Sequence, residues 1–180
     1  MLRLTTPAVE MWDESEEKFI QVKAQTLQLE HSLVSLSKWE SKWKKAFLTS
    51  KDKTEEEVLD YIKCMTLTQN VNPLVYACLS EQNIALVKAY IEDPMTATYF
   101  SESSSSKKNR EVVTSELIYF WMITLNIPLE CQKWHLNRLM TLIRVCSIKN
   151  QPPKKKSKSE IMRSNAALNA ARRKKYNSKG

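Results

Sequence analysis

The 180-residue sequence holds one glycine, Gly180, its last residue. Average proteins carry roughly 7% glycine, so this chain builds nearly all of its turns from other residues. The shortage removes whole classes of function. Neither the GxxxxGK[ST] phosphate loop nor the GxGxxG dinucleotide fingerprint can be written, and the GxSxG nucleophile elbow is missing as well. Asn-Gly and Asp-Gly hairpin turns are absent, which points away from a sandwich or barrel and toward helices joined by Pro, Asn and Ser. Histidine is almost as rare, with His31 and His135 alone, and neither an HExxH zinc motif nor a DxDxDG calcium loop occurs. The four cysteines, Cys64, Cys78, Cys131 and Cys146, form no CxxC pair. They sit among apolar residues and read as reduced, packed thiols of a cytoplasmic protein. The longest apolar run, Leu117 to Ile123, is far below the about 20 residues of a membrane span. The first residues lack the apolar stretch of a signal peptide.

Acidic residues are nearly missing from one region, residues 154–180. That segment holds ten basic groups against the single acid Glu160, a net +9. Residues 1–153, with 18 basic and 19 acidic groups, therefore carry −1 of the total +8. Such asymmetry suits an acidic partner or nucleic acid, and equally a solvated arm. The chain divides into a helical body at 1–150 and a basic tail with a short helix at 151–180. A Ser-rich mobile loop at 100–111 interrupts the body, because Ser101 to Asn109 has nothing to bury.

Within the body, the first thirty residues read as a small β-ribbon. Met11-Trp12, the acidic turn at 13–17, and Phe19 to Val22 form strand, turn, strand, and Leu27-Gln28-Leu29 adds a further alternating piece. From Ser32 the period becomes helical: Leu33, Leu36, Trp39 and Trp43 share one face, in a helix that should end near Phe47-Leu48. Thr54-Glu55-Glu56-Glu57 is a capping box opening a helix through Met65. Ser80 caps the next, which Asp93-Pro94 stops. Thr114 or Ser115 then caps a helix that is apolar almost all round, so it belongs at the core or an interface. Pro128 fits the first turn of a following helix with Leu136, Leu139, Met140, Ile143 and Cys146 on its inner stripe. Ser159 is a cap for the short Ala-rich helix of the tail. The fold class is mainly α: a single helical domain with a small N-terminal β-ribbon and a basic C-terminal tail.

No pattern of catalytic residues emerges, and the chain is read as a non-enzyme with no cofactor. Cys131 and His135, four apart, could join another cysteine at a metal, but the close pairs of zinc sites are missing, so no metal site is assigned. Glu30-His31-Ser32 invites a catalytic triad, yet triads are defined in three dimensions. A His31 imidazole that bonds a helix end is the plainer account. Trp39 and Trp43 among Lys38, Lys42, Lys44 and Lys45 could stack nucleic-acid bases, although their shared stripe with Leu33 and Leu36 speaks for core packing. Trp121, Trp134 and Leu139, in the most apolar helix pair, are candidate partner-binding residues and equally good core residues. Arg172, Arg173, Lys174 and Lys175 are candidates for an acidic or phosphate-bearing partner. With no base-reading motif among them, nucleic-acid binding would be nonspecific.

Several strings resemble one group of bacteriophage proteins: Leu27-Gln28-Leu29-Glu30-His31-Ser32-Leu33 running into Ser37-Lys38-Trp39-Glu40-Ser41, Pro94-Met95-Thr96-Ala97-Thr98, and Lys133-Trp134-His135-Leu136-Asn137-Arg138-Leu139. Leu168-Asn169, Ala171-Arg172-Arg173-Lys174 and the terminal Gly180 also fit. Together they resemble the tail assembly chaperones of long-tailed phages. The resemblance implies a protein of the host bacterial cytoplasm that binds the tape measure protein and keeps its apolar helices soluble. It also implies that the protein helps the tail tube protein polymerise and is then absent from the mature tail. No catalytic residues are implied. Helix-in-groove capture is the matching physical mode, no membrane is involved, and self-association stays open. The alternative is a virion structural or nucleic-acid-binding protein that acts through its basic tail.

Overall fold

The structure, a computed structural model, describes residues 1–13, 17–50, 52–100, 111–151 and 157–177. The Ser-rich stretch at 101–110 and the lysines at 154–156 lie outside the described residues. The chain separates into two compact units, Met1–Ile148 and Lys149–Gly180. The first is mainly helical with a β-ribbon at its start.

The ribbon has four short strands: β1 (Leu2–Thr6), β2 (Val9–Asp13), β3 (Lys18–Val22) and β4 (Gln25–Leu29). β1 pairs antiparallel with β4 and β2 with β3, and the register runs straight through from Leu2↔Leu29 to Asp13↔Lys18. It is one long hairpin opened where Pro7 and Ala8 face Lys23 and Ala24. Pro7 has no N–H to give the ladder. Beyond this break the ribbon turns its other face to the core. Leu4, Leu27 and Leu29 point inward in the first half. In the second half Val22 and Met11 do so, while the cross-strand pair Trp12 and Phe19 is 51% and 70% exposed. The free edge of β4 is covered by the 65–68 segment. The Leu67 N–H donates to the Gln28 carbonyl at 2.8 Å, and the Glu30 N–H to that of Met65 at 2.9 Å. This cover matters, because an unpaired edge invites aggregation.

The helix α1 (Leu33–Trp43) is the centre of the body and packs against α2 (Glu55–Met65) and α5 (Ser115–Thr124). Leu33, Leu36 and Trp39 are fully buried along it. Ser32 caps it reciprocally with Ser35. The helix ends at Trp43, short of the expected Phe47-Leu48, because Lys44 takes the left-handed conformation at φ 55° and its N–H closes on the Glu40 carbonyl. That turn sends Phe47 back over Tyr61, with ring centroids 3.8 Å apart. With glycine unavailable, left-handed turns fall to Glu17, Lys44, Asn70, Met95, Asn126 and Asn177 among the described residues, and asparagine tolerates this region best of the non-glycine residues.

The Thr54–Glu57 capping box forms as read. One turn of helix, α3 (Leu74–Ala77), follows Pro73, and α4 (Glu81–Glu92) starts at its Ser80 cap. Thr114 caps α5. Pro128 opens a 3-10 turn, Leu129–Lys133, rather than the next helix, and α6 (Leu136–Asn150) begins only after His135. In the second unit, α7 (Lys158–Tyr176) is capped by Ser157 through a box with Glu160, not by Ser159. It is a 19-residue helix rather than a short one.

Candidate partner-binding site

Leu139 is 0% exposed and belongs to the core, on the inner stripe of α6 with Leu136 and Ile143. It cannot meet a partner while the body is folded, and its assignment as a contact residue falls. Trp121 and Trp134 are half-buried against the core. The Arg138 guanidinium covers the Trp134 ring at 4.3 Å. The apolar side chains that α5 leaves to solvent are Phe120 and Ile123, 60% and 68% exposed. A helix apolar all round has no period to reveal its outward face, so the sequence could not separate Phe120 from Trp121. Arg173, Lys174 and Lys175 occupy the last turn of α7, Arg172 precedes them, and all four are exposed.

The sequence also left unmarked a groove of about 390 Å³ between elements of the body. α2 supplies Val58, Tyr61 and Ile62, α4 supplies Ile84, Val87 and Ile91, and Phe47 arrives from the loop that Lys44 turns. The polar groups on its lining are Lys53, Lys88 and Glu92. The Lys53 ammonium lies 4.4 Å from the Phe47 ring. Burial pushes its pKa down from the usual lysine value, and Glu57 partly offsets this. Val58, Ile84 and Ile91 are the part-exposed apolar side chains of the lining, Phe47, Tyr61, Ile62 and Val87 are buried beneath them, and two cations and the Glu92 carboxylate complete it. Such a lining accepts the apolar face of a helix with acidic flanks.

Charged side chains fix the elements around this groove. The buried Glu40 carboxylate accepts the Phe47 N–H at 2.9 Å through Oε1 and the Ser115 N–H at 2.7 Å through Oε2. One side chain of α1 thus holds both the turned loop and the start of α5. The Trp39 indole N–H donates to the Glu57 carbonyl at 2.9 Å, and that of Trp43 donates to Asp60 at 2.9 Å. Lys42 pairs with Asp60 and Lys45 with Glu57. Trp39 is therefore core and Trp43 half-buried against it, and two of the four neighbouring lysines, Lys42 and Lys45, are paired, which favours core packing over base stacking for this stripe.

The two histidines meet. Their rings pack edge to face at 5.1 Å, both buried. His31 Nδ1 shares a 2.7 Å hydrogen bond with the Tyr61 hydroxyl. The bond to a helix end that was expected of its ring is made instead by its backbone carbonyl, which accepts the Leu136 N–H at 2.7 Å. His135 Nδ1 accepts the Asn137 N–H at 3.3 Å, so the ring proton sits on Nε2 and donates to the Tyr90 carbonyl at 3.0 Å. Asn137 Nδ2 adds bonds to the Ile91 and Asp93 carbonyls. The start of α6 thereby satisfies carbonyls that the end of α4 leaves open. Burial, with His135 adding to it, lowers the His31 pKa to about 3. Burial raises that of Tyr61 well above the usual phenol range. Both groups stay neutral and hydrogen-bonded, as a packed polar cluster requires.

Among the described residues no three His, Cys, Asp or Glu side chains are placed to hold a metal ion. No described helix is long and apolar enough to cross a membrane. No family model matches the chain, and no curated protein or solved structure matches it significantly.

Proposed function

We propose that this protein is a tail assembly chaperone of a long-tailed bacteriophage, which binds apolar helices of the tape measure protein and assists tail tube polymerisation. The observation that supports the reading is the shallow groove between α2 and α4, where the part-exposed Val58, Ile84 and Ile91 and the cations Lys53 and Lys88 surround a floor of core side chains. A soluble helper for a long helical partner needs a site of this kind, able to cover apolar side chains one helix face at a time. The exposed Phe120 and Ile123 of α5 add apolar surface to the same body, and the string resemblances point to the same family. The role is binding without catalysis, carried out in the host bacterial cytoplasm.

The test is co-expression with a long helical tape measure protein. That partner is expected in the soluble fraction with this protein and in the pellet without it. Ile84→Asp, which places a carboxylate in the groove wall, is expected to return the partner to the pellet while the variant itself stays folded. A partner that is soluble alone removes the chaperone reading. Undiminished capture by Ile84→Asp removes the groove.

A further inference from the structure

α7 carries a surface that the groove of the body does not involve. The helix buries none of its residues. It holds Lys158, Arg163, Arg172, Arg173, Lys174 and Lys175 against Glu160, a net +5. Its side chains are sorted by size. Lys158, Ile161, Asn165, Leu168, Arg172 and Lys175 succeed one another in alternating steps of three and four, the a and d spacing of a coiled-coil seam. Met162, Asn169 and Tyr176 border that seam one position further on. Every apolar side chain of α7 larger than alanine is therefore on this side. The rest of the helix holds Ala166, Ala167, Ala170 and Ala171, the residue type that favours helix most. A merely solvated arm has no need to divide large apolar side chains from small ones in this way.

We propose that α7 is one strand of a parallel two-stranded coiled coil whose other strand is an acidic helix of a partner protein. Aliphatic side chains of the partner meet Ile161 and Leu168. Carboxylates meet Lys158, Arg172 and Lys175, and an asparagine meets Asn165. A second copy of α7 is disfavoured as the partner, because a parallel pair sets each of these three cations against its own equivalent. An acidic helix reverses the sign at the same three layers. Asn165 at an a position is the device by which parallel coiled coils fix their register. A slipped strand would leave its amide against an aliphatic side chain without a hydrogen bond. An anionic lipid surface fits less well. A helix lying on a membrane needs a broad apolar face, and here the two aliphatic seam positions are interleaved with three cations and an amide. The phosphates of a nucleic acid would satisfy the cations and leave Ile161, Met162 and Leu168 without a role.

The experiment uses the full chain and a labelled synthetic peptide of about three heptads, read by fluorescence anisotropy at about 150 mM salt. The peptide has leucine opposite Ile161 and Leu168, asparagine opposite Asn165, and glutamate opposite Lys158, Arg172 and Lys175 and along its flanks. Binding is expected, and a peptide of the same composition with its order scrambled should bind at least about 10-fold more weakly. Leu168→Ala should weaken binding about 30-fold, through the methylene groups that it no longer buries. Two double variants that lose the same charge separate the seam from bulk attraction. Lys158→Ala/Arg172→Ala empties two seam positions and should weaken binding about 10-fold more than Arg163→Ala/Lys174→Ala, which removes two cations from outside the seam. Alanine favours the helix, and circular dichroism checks that each variant keeps α7. Absence of peptide binding at about 0.1 mM would overturn the proposal. Equal binding of the scrambled peptide, or equal losses in the two double variants, would do the same by reducing the attraction to net charge. Tighter binding to a DNA duplex of about 20 base pairs or to phosphatidylserine–phosphatidylcholine vesicles would put another occupant in place of the acidic helix and overturn it as well. So would self-association of the chain that Leu168→Ala abolishes.

Discussion

Glu40→Gln isolates the bond on which the body's architecture turns. The Glu40 carboxylate is buried and accepts two backbone N–H groups, from Phe47 at 2.9 Å and from Ser115 at 2.7 Å. Glutamine keeps the shape and one acceptor oxygen. Its amide nitrogen must face one of the two N–H donors, and that donor is then buried without a partner. An orphaned buried donor costs about 1–3 kcal/mol, and hydrogen bonds to a charged group contribute about 1.5–3 kcal/mol each. Glu40→Gln should therefore lose about 2–3 kcal/mol, and Glu40→Ala, which orphans both donors and leaves a void, about 3–6 kcal/mol. For a chain of this size the Gln variant should melt roughly 4–12 °C lower. Urea unfolding of natural chain and variants at pH 7, with the slope m unchanged, gives the values directly. Hydrogen exchange at the Ser115 amide should accelerate in step, since α5 loses its tether to α1. A Glu40→Gln loss under about 0.5 kcal/mol would refute the claim that this carboxylate holds α1, the loop and α5 together.

Other outcomes follow from the same geometry. His31 has an ordinary pKa near 6.5 when unfolded and about 3 in the body, so the unfolded chain binds the extra proton between these values. Stability is full above about pH 6.5 and declines as pH falls toward 3, by about 2–3 kcal/mol at pH 4.5; unfolding midpoints at pH 7 and 4.5 that coincide would contradict it. Lys44→Gly relieves a left-handed lysine and should stabilise the body by about 0.5–1 kcal/mol by thermal melting, because the αL cost of a non-glycine residue slightly exceeds glycine's entropic cost. Leu139→Ala should destabilise by about 2–5 kcal/mol as a core cavity, whereas Phe120→Ser at an exposed site should stay within about 0.5 kcal/mol. Ser157→Ala should reduce the helical signal of the second unit, since an N-cap contributes about 1 kcal/mol.

Much of the local structure was legible in the sequence because its causes are local. The Thr54–Glu57 box, the Ser80 and Thr114 caps, the Asp93-Pro94 stop and the two strands within residues 9–13 and 18–22 each depend on neighbours within a few positions. Helix ends decided by distant partners were not legible. α1 stops at Trp43 where Lys44 turns left-handed, and the loop beyond it is held by the Glu40 side chain, which also accepts from Ser115, 75 positions away. The ribbon's inversion at Pro7 and Ala8 hides in the same way, since strict alternation through the break would place Trp12 and Phe19 inside. The candidate contact residues show the same limit. Hydrophobicity marked the α5 region, but it could not distinguish buried Ile118 and Met122 from exposed Phe120 and Ile123.

By itself the sequence determined which chemistries this chain cannot build from glycine motifs, where its basic charge lies, and where most helices begin. Those properties are set by composition and by hydrogen bonds spanning a few residues. Tertiary structure alone decided that two solitary histidines would meet in one buried cluster and that Phe120 and Ile123, not Trp121, would be the most exposed apolar side chains of α5. It also decided that Phe47, turned back by a left-handed lysine, would help line an apolar groove between α2 and α4. Each of these depends on which faces pack together, a choice made by the burial of many side chains at once rather than by any one of them.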